Sequence, residues 1–399
     1  MQSNSKIFYR QNIFRKIFKK ISFYFIFRQN IANSKLFDNP LLSSVTINPS
    51  RRDLRVPTNM INKHSIKLFG RYYFCDMFLY SDKLTERMNK AGQDGKPFLF
   101  GIDFEMEESF FLANPMEQQE ILFNFRGRGN ASCSPHKVAP YHFESFPEAY
   151  TAYRSRFDTV MDGLKRGDSY LANLTIRTPV STSLSMREIF LLARTPYKLF
   201  LPRRFVCFSP ECFVRMEKGK ILTFPMKGTI DALLPDAAQV ILRNRKETAE
   251  HNTIVDLMRN DLSRIATWVK VNRFRYTEEL LTHNGPILQV SSEIEGLLPE
   301  DYRKQLGTLF FELLPAGSVS GAPKAATLAL IEKAEKEPRG YYTGVAGYFD
   351  GINLDVCVLI RYIEQQGMHQ YFRSGGGITA QSDCRKEYNE ALQKVYLPF

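Results

Sequence analysis

From residue 146 onward, hydrophobic positions follow helical and strand periods in turn. Residues 148–168 (EAYTAYRSRFDTVMDGLKRGD) place apolar side chains three and four apart, which predicts a helix that ends at a Gly–Asp turn. Residues 169–180 (SYLANLTIRTPV) alternate and predict a strand. Further along, the pattern predicts two strands around a Lys–Gly hairpin over 205–230, one long helix over 237–266 and a final helix over 383–395.

The part before residue 146 has shorter apolar runs. Residues 81–92 (SDKLTERMNKAG) predict a short helix with a glycine cap, and residues 96–106 (KPFLFGIDFEM) predict a strand. Residues 126–136 (RGRGNASCSPH) read as a loop, and no helix pattern follows its Gly-x-Gly, which argues against a phosphate loop. Runs of strands bracket helices without a βαβ repeat. The sequence therefore predicts an α+β fold with largely antiparallel sheets.

Length and charge divide the chain into two parts. Its 399 residues predict one large or two intimate domains. The net charge is +12, but residues 1–64 hold twelve Lys/Arg against Asp38 and Asp53, which leaves the remainder near balance. We expect a basic leader over 1–65, disordered or not native, and one unit over 66–399. The family resemblance described below implies that this unit is catalytic, with a shortened N-terminal part over 66–145 and a core that carries the motifs over 146–399.

The leader leaves several interpretations open. Residues 1–37 have no acidic residue and mix Lys/Arg with Ile/Phe, which suits an amphipathic membrane-surface helix, a targeting segment, or an unstructured leader. Its apolar stretch ISFYFIF is far shorter than the roughly 20 residues that span a bilayer. Six scattered cysteines without CxxC suit a reducing compartment, so we expect a cytoplasmic protein without zinc or disulfides.

Lys227 raises the first question of chemistry. Residues 221–229 (ILTFPMKGT) read as a buried strand followed by a Pro–Met–Lys–Gly turn. A lysine at this point is either solvated or held out of water so that its amine can react.

Carboxylates and glycines form two further groups. Glu250 lies on the predicted long helix, and Glu387 and Glu390 share a face of the last helix. They are either solvated or ligands of a hard cation such as Mg²⁺, which takes one or two carboxylates. Gly375–Gly377 are expected in a flexible loop, or where the backbone must approach a ligand closely or take positive φ. Ser318 and Ser320, before another helix, are candidate binders of a carboxylate.

Eight blocks resemble the family of chorismate-using enzymes in order and spacing. This family includes the large subunit of anthranilate synthase, aminodeoxychorismate synthase component I, and the isochorismate and salicylate synthases. The resemblance covers residues 145–399 and implies two largely antiparallel sheets packed as a sandwich with helices outside. The blocks are GDSYLANLT, SPECF, FPMKGT, AEHNTIVDLMRNDL, LPAGSVSGAPK, RGYYTGVAGY, LIRY and SGGGITAQSDCRKEYNEALQK.

Lys227 resembles the residue that marks the aminodeoxychorismate synthase branch, where anthranilate synthases carry alanine. That branch converts chorismate to 4-amino-4-deoxychorismate for 4-aminobenzoate and folate synthesis. The resemblance implies that the lysine attacks C2 while hydroxide leaves C4, and that ammonia then adds at C4 and expels the lysine. Two displacements retain configuration. A free lysine, with a pKa of ~10.4, is charged at neutral pH, so we expect burial to favour the neutral amine.

The same resemblance implies the other site residues. Glu211 of SPECF matches the general acid, and Glu250 and Glu390, with Glu387 beside them, match the Mg²⁺ ligands. Groups expected to bind or line the substrate are Arg361, Lys394, Gly375, Gly376, Gly377, Thr343 and Ser320. A planar guanidinium suits a carboxylate.

At two points the sequence departs from the family pattern, and these limit which family properties can be expected of it. Gln289 stands where relatives have histidine, and glutamine cannot change its charge. The N-terminal part is short and divergent, so feedback inhibition by tryptophan is not predicted.

The alternatives differ in their nucleophile or in their class. Anthranilate synthase component I is the first, and Lys227 argues against it; isochorismate and salicylate synthases use water. A basic binding protein for nucleic acid or membrane does not suit the balanced remainder, and a non-catalytic paralogue does not suit retention of the site residues. No cysteine lies in a Gly-x-Cys-x-Gly elbow. We therefore expect ammonia from a separate glutamine amidotransferase subunit.

Overall fold

The computed structural model describes residues 77–131, 140–282 and 285–399. All of them belong to one compact unit, Arg71–Phe399. The proposed leader over 1–65 lies outside the described residues. The strands of 77–145 pair with those of the later part in both sheets, so the two parts of the predicted catalytic unit share one core.

The helices are α1 (Ser81–Asp94), α2 (Tyr150–Arg166), α3 (Met186–Leu192), α4 (Ala237–Arg243), α5 (Arg245–Leu262), α6 (Leu306–Phe311), α7 (Gly317–Ser320), α8 (Lys324–Glu335) and α9 (Cys384–Gln393), with 3₁₀ turns at Pro115–Glu117 and Tyr302–Gln305. The strands are β1 (Phe78–Leu79), β2 (Phe98–Ile102), β3 (Ser109–Ala113), β4 (Leu122–Phe125), β5 (Arg128–Gly129), β6 (Phe143–Ser145), β7 (Leu171–Thr182), β8 (Tyr197–Leu201), β9 (Phe205–Ser209), β10 (Cys212–Glu217), β11 (Lys220–Thr223), β12 (Met226–Asp231), β13 (Thr267–Thr282), β14 (Gly285–Leu297), β15 (Gly321–Ala322), β16 (Val345–Phe349), β17 (Leu354–Val358), β18 (Tyr362–Gln366) and β19 (His369–Ile378).

These strands form two sheets. Within each sheet, every pair of hydrogen-bonded neighbouring strands is antiparallel. The ten-stranded sheet has the order β1-β3-β2-β16-β17-β10-β11-β14-β12, with β13 also paired to β14. The nine-stranded sheet has the order β15-β7-β19-β18-β9-β8-β4-β5, with β6 paired to β7. The predicted α+β class with antiparallel sheets is confirmed.

Alternation along β2 shows how the layers are arranged. Phe98, Phe100 and Ile102 pack with helices α1, α5 and α6, whereas Leu99 packs with side chains of the second sheet. Successive strand residues point to opposite faces, so one face of this strand meets helices and the other meets the opposite sheet. Helices α2, α8 and α9 cover the second sheet in the same way. The described residues therefore form a sandwich of two sheets with helices outside.

Three predicted elements have different boundaries. The helix over 237–266 is two helices, because the Asn244 side chain caps α5 by accepting from the Glu247 N–H at 3.2 Å. Helix α1 ends at Asp94 and is capped by Gly95 with φ +62°. Gly92 lies within the helix, where a Cβ would lie 2.3 Å from the Arg303 carbonyl oxygen. Residues 205–230 contain four strands, of which β10 and β11 form the predicted Lys–Gly hairpin.

Within the described residues, no helix is long and apolar enough to cross a membrane.

Candidate active site

Lys227 is the second residue of β12 and does not lie in the predicted turn. Phe224 and Pro225 separate β11 from β12, both of which pair with β14, and the pairing of β12 with β14 shifts register between Met226 and Thr229. The Lys227 Nζ lies 3.9 Å from Glu250 Oε2, and its side chain is 26% exposed. The expected burial of this amine is therefore only partial, and the amine faces a glutamate of α5 instead of bulk solvent.

Gly375, Gly376 and Gly377 form the end of β19 and pair with β7. Both expectations for the triplet's backbone, a loop and positive φ, are wrong. Strand β18 pairs with β19 only as far as the Tyr362–Arg373 pair, and Tyr362 is the first residue of β18, so the glycines lie beyond that end of β18.

The space above these glycines holds charged side chains. A Cβ on Gly377 would lie 3.4 Å from Lys227 Nζ, and a Cβ on Gly376 would lie 3.5 Å from Lys394 Nζ and 3.7 Å from Glu387 Oε2. Successive strand residues point to opposite faces, so the missing side chains leave room beside Lys227 at Gly377, and beside Lys394 and Glu387 at Gly376. A side chain on either glycine would fill the space on its own face of the strand.

Helix α9 brings Glu387, Glu390 and Lys394 to the same strand. The Lys394 Nζ donates to the Gly375 carbonyl at 2.8 Å and lies 2.8 Å from Glu390 Oε1. Burial lowers the pKa of Lys394; the Glu390 carboxylate opposes this change, while the charges of Arg361 and Lys227 add to it. Glu387 is buried, with 8% exposure. The end of α9 therefore contributes one cation and two carboxylates.

Glu211 is held on three sides. Its N–H donates to Ser209 Oγ at 3.1 Å, its carbonyl accepts from the Val358 N–H at 3.2 Å, and its Oε1 accepts from Ser318 Oγ at 2.7 Å. Burial raises the pKa of Glu211, whereas the Ser318 hydrogen bond and the charges of Lys227 and Arg361 lower it. Because burial is the largest effect, the carboxyl group is suited to carrying a proton.

Arg361 and Thr343 both have left-handed backbone, with φ +52° and +61°. This conformation is strained for residues other than glycine, and most of all for a β-branched one, and such strain is concentrated at functional sites. The Arg361 Nε donates to Tyr396 Oη at 3.4 Å. The Thr343 hydroxyl donates to the Tyr342 carbonyl at 2.6 Å and accepts from Arg339 Nη1 at 3.3 Å, so it is already bonded within the protein.

Two other residues from the sequence analysis are Ser320, at the end of helix α7, and Gln289, in strand β14. Ser320 is fully buried, and its hydroxyl donates to the Ala316 carbonyl at 2.9 Å. Gln289 lies in β14 opposite Thr229, two residues along β12 from Lys227. The contacts of Ser320 suit a structural role more than contact with a substrate.

Two neighbouring residues of α5 were missed by the sequence analysis. A Cβ on Gly228 would lie 3.0 Å from Glu247 Oε2, so Gly228 leaves room for that carboxylate next to Lys227. Glu247 lies three residues before Glu250, and this helical spacing was a usable signal. His251 is buried, and its Nε2 lies 2.7 Å from Ser292 Oγ. Burial, with the charges of Arg275 and Lys227, lowers the pKa of His251 to about 4, so the ring is neutral at neutral pH.

The carboxylates Glu250, Glu387 and Glu390 have the chemistry of a Mg²⁺ site. Oxygen donors are what this ion prefers, and it commonly takes only one or two from protein carboxylates. Among the described residues, no three or more His, Cys, Asp or Glu side chains lie close enough together to hold a metal unaided. Their oxygen chemistry, and not a closely packed set of ligands, is therefore what would suit them to Mg²⁺.

A cavity of about 210 Å³ lies beside Glu250, lined by Tyr170, Leu171, Ala249, Thr253 and residues 379–381. A more open cleft of about 470 Å³ between α5 and β13 contains none of the candidate residues. The smaller cavity is therefore the one that adjoins the charged cluster.

Comparison with known proteins gives a consistent result. A family model described as a chorismate binding enzyme matches residues 76–398. Two relatives are 49% identical over 316 residues and 48% identical over 319 residues. They are described as uncharacterized PabA-like proteins of Haemophilus influenzae and Pasteurella multocida, and each alignment covers 78% of this chain and 95% and 97% of the relative, respectively.

Similarity to relatives with a described activity is lower. The aminodeoxychorismate synthase component 1 of Bacillus subtilis is 32% identical over 276 residues, which are 65% of this chain and 56% of that protein. The crystal structure of anthranilate synthase component I from Streptococcus pneumoniae matches with a TM-score of 0.55 and 28% identity, over 64% of this chain and 59% of that one.

Proposed function

This chain belongs to the family of chorismate-binding enzymes, and on that premise we propose that it converts chorismate to 4-amino-4-deoxychorismate. The observation that carries the proposal is the position of the Lys227 Nζ, which lies 3.9 Å from Glu250 and 3.4 Å from the Cβ position of Gly377. An amine in this setting is within reach of a ring held over the glycine strand.

In the first step, the Lys227 amine bonds to C2 of the ring, both ring double bonds shift by one position toward C4, and the C4–O bond breaks. Hydroxide is a poor leaving group, so Glu211 supplies the proton and water departs. The raised pKa of Glu211, caused by burial, supports this role. A covalent intermediate then joins the ring to the lysine.

In the second step, ammonia bonds to C4 and the C2–N bond to Lys227 breaks. The incoming nitrogen loses a proton to Glu211, which returns to its starting state, and the lysine is released as a free amine. The net change is replacement of the C4 hydroxyl by an amine, with one water released. Two displacements keep the original configuration at C4.

Substrate binding is assigned to the cationic and backbone groups around the glycine strand. Arg361 and Lys394 are the proposed partners of the two carboxylates of chorismate, since a planar guanidinium binds a carboxylate through two hydrogen bonds. The backbone of Gly375–Gly377 and the segment at Thr343 line the ring. Glu250 and Glu390, with Glu387 beside them, would hold Mg²⁺. Bound there, the ion would neutralise the ring carboxylate.

Ammonia has two possible sources, free ammonium or a glutamine amidotransferase subunit. We propose such a subunit as the partner that supplies it. The purified chain should then use ammonium alone but glutamine only when the subunit is added. Glutamine-dependent product from the chain alone would contradict this arrangement.

The product distinguishes this proposal from anthranilate synthase component I. The latter is favoured by similarity to anthranilate synthases, including one from Acetivibrio thermocellus that is 34% identical over 248 residues. Purified protein is incubated with chorismate, Mg²⁺ and ammonium, and the products are separated and weighed by mass spectrometry. We expect 4-amino-4-deoxychorismate, and anthranilate as the main product would overturn the proposal.

A further inference from the structure

We propose that Ser318 is the positioning residue for Glu211, which fixes the carboxyl group and selects the oxygen that carries the proton. The inference rests on the proposed role of Glu211 as the general acid. Its basis is the 2.7 Å hydrogen bond from Ser318 Oγ to Glu211 Oε1, which joins residues 107 positions apart.

The short helix α7, which carries Ser318, is held in place on both sides of that residue. A Cβ on Gly317 would lie 2.8 Å from Asp261 Oδ2, so α7 approaches α5 closely. The Val319 carbonyl accepts from Arg339 Nη1 at 3.0 Å, and Arg339 is itself buried against Glu335. Because its neighbours on both sides are fixed, the Ser318 hydroxyl has little freedom to move away from Glu211.

Glu211 has the complementary arrangement. Its backbone is fixed by Ser209 and Val358, but its side chain still rotates about its own bonds. Hydrogen bonding of Oε1 to Ser318 removes that freedom and leaves a single orientation toward the site. A supported side chain is what a general acid needs, because small misplacements reduce proton transfer.

The direction of the hydrogen bond decides which oxygen is protonated. Ser318 donates its only hydrogen to Oε1, so Oε1 acts as the acceptor. In the neutral acid, one oxygen carries the hydrogen and the other accepts, which leaves Oε2 to hold the proton that passes to the departing C4 hydroxyl. The charged groups that face this carboxyl are Lys227 and Arg361, and both favour its ionised form, as Ser318 does.

The direct test compares Ser318→Ala with Ser318→Thr, which keeps a hydroxyl. Steady-state kinetics with chorismate are measured over pH. In Ser318→Ala we expect kcat to fall about tenfold with KM for chorismate little changed, since the acid is misdirected but substrate contacts remain. The loss of activity at high pH should also move to higher pH, because the ionised carboxyl loses a donor. Ser318→Thr should restore most of kcat.

Ser263→Ala is the matched control. It removes a serine hydroxyl that donates to the Arg259 carbonyl at 2.8 Å on the exposed end of α5, and its kinetics should equal those of the wild type. Thermal melts of every variant identify any that fail to fold. A Ser318→Ala enzyme with wild-type kcat and pH profile would overturn the proposal, as would a loss that Ser318→Thr does not rescue.

A second measurement separates this inference from the proposed function. The Glu211 carboxyl is followed by ¹³C NMR in protein with labelled glutamate, and its signal is identified by its loss in Glu211→Gln. Ser318→Ala should raise the pKa of Glu211, and an unchanged titration would overturn the role of Ser318. If the wild type makes anthranilate, the proposed function fails, and the same comparison is made with that reaction.

Discussion

At the scale of single residues, the site pairs each lysine with a glutamate and a glycine. Lys227 lies beside Glu250 and the Cβ position of Gly377, and Lys394 lies beside Glu390 and the Cβ position of Gly376. Each glycine leaves open the space that its lysine faces. The two amines differ in their surroundings, since Lys394 also donates to a backbone carbonyl of the strand. We therefore assign attack to Lys227 and binding to Lys394.

Replacing Lys227 with alanine tests this division. We expect Lys227→Ala to lose C4 amination by roughly 10³-fold or more while the protein stays folded, because the covalent route is removed and the side chain is only partly buried. Product formation is measured by chromatography. The control is Lys220→Ala on neighbouring β11, which removes a surface pair with Glu295 and should leave the rate unchanged. Equal rates for both variants would remove Lys227 from the mechanism.

At the scale of elements, β19 is the strand on which the site is built. Its pairing with β7 fixes the backbone of the glycines, and Lys394 at the end of α9 donates to the Gly375 carbonyl. A strand is more rigid than the loop expected from three successive glycines, and rigid elements hold a site more accurately than loops do. The same strand has glycines that serve different purposes. Gly377 faces Lys227, whereas a Cβ on Gly375 would meet the Leu174 carbonyl at 2.5 Å.

Alanine substitutions should separate these two purposes. Gly377→Ala should lower kcat/KM about tenfold or more with little change in melting temperature, because its methyl group enters the space of Lys227 and Leu171. Gly375→Ala should instead destabilise the protein by about 1–3 kcal/mol, because backbone must move to relieve the clash. Both kcat/KM and the melting temperature are measured for each variant. A Gly377→Ala protein that is destabilised but fully active, with a Gly375→Ala protein that is stable but inactive, would contradict our description of β19.

The elements also show how far the sequence could predict the structure. The helix that ends at Gly167 and the strand β7 follow their hydrophobic periods closely, because local pattern decides both. The break at Asn244 was missed, because a side-chain cap competed with a continuous apolar pattern. Gly92 was misread as a cap because its close packing against Arg303 involves residues far away in sequence.

For the site, spacing along the chain identified candidates but not their contacts. Without the family resemblance, Lys227 had an ordinary solvated interpretation, and no local pattern singled out Glu211. The hydrogen bond of Ser318 to Glu211 depends on packing between distant segments, which no local pattern contains. Glu247 was recoverable from its helical spacing to Glu250, whereas the buried pair of His251 with Ser292 was not.

At the scale of the whole molecule, the site depends on both sheets. Lys227 belongs to the first sheet and Gly377 to the second, yet only 3.4 Å separates the amine from the glycine's Cβ position. Anything that loosens the sandwich therefore affects the site. One buried acid bears on that stability: burial, together with the charges of Glu105 and Glu107, raises the pKa of Asp103 to about 8.

The raised pKa of Asp103 makes stability depend on pH. In the unfolded chain this carboxyl ionises near its ordinary value of 3.8, so its contribution to stability is complete below that pH and is lost as pH rises to about 8. Asp103→Asn keeps an acceptor for the Glu108 N–H but cannot ionise. Its melting temperature relative to wild type should therefore be higher at pH 9 than at pH 4.5.

The matched control for Asp103 is Asp256→Asn. That carboxylate is 81% exposed, and its substitution should change the melting temperature similarly at both pH values. A difference between Asp103→Asn and wild type that stays constant with pH would contradict the burial of a protonated Asp103.

The central claim, that Lys227 bonds covalently to the chorismate ring, is tested most directly by mass spectrometry without ammonia. Wild-type protein is mixed with chorismate and Mg²⁺, quenched in acid, and weighed intact and as peptides. We predict an added mass of chorismate less one water, located on the peptide that contains Lys227, and its disappearance when ammonium is added. No adduct under any quench time, together with C4 amination by Lys227→Ala at the wild-type rate, would contradict the account.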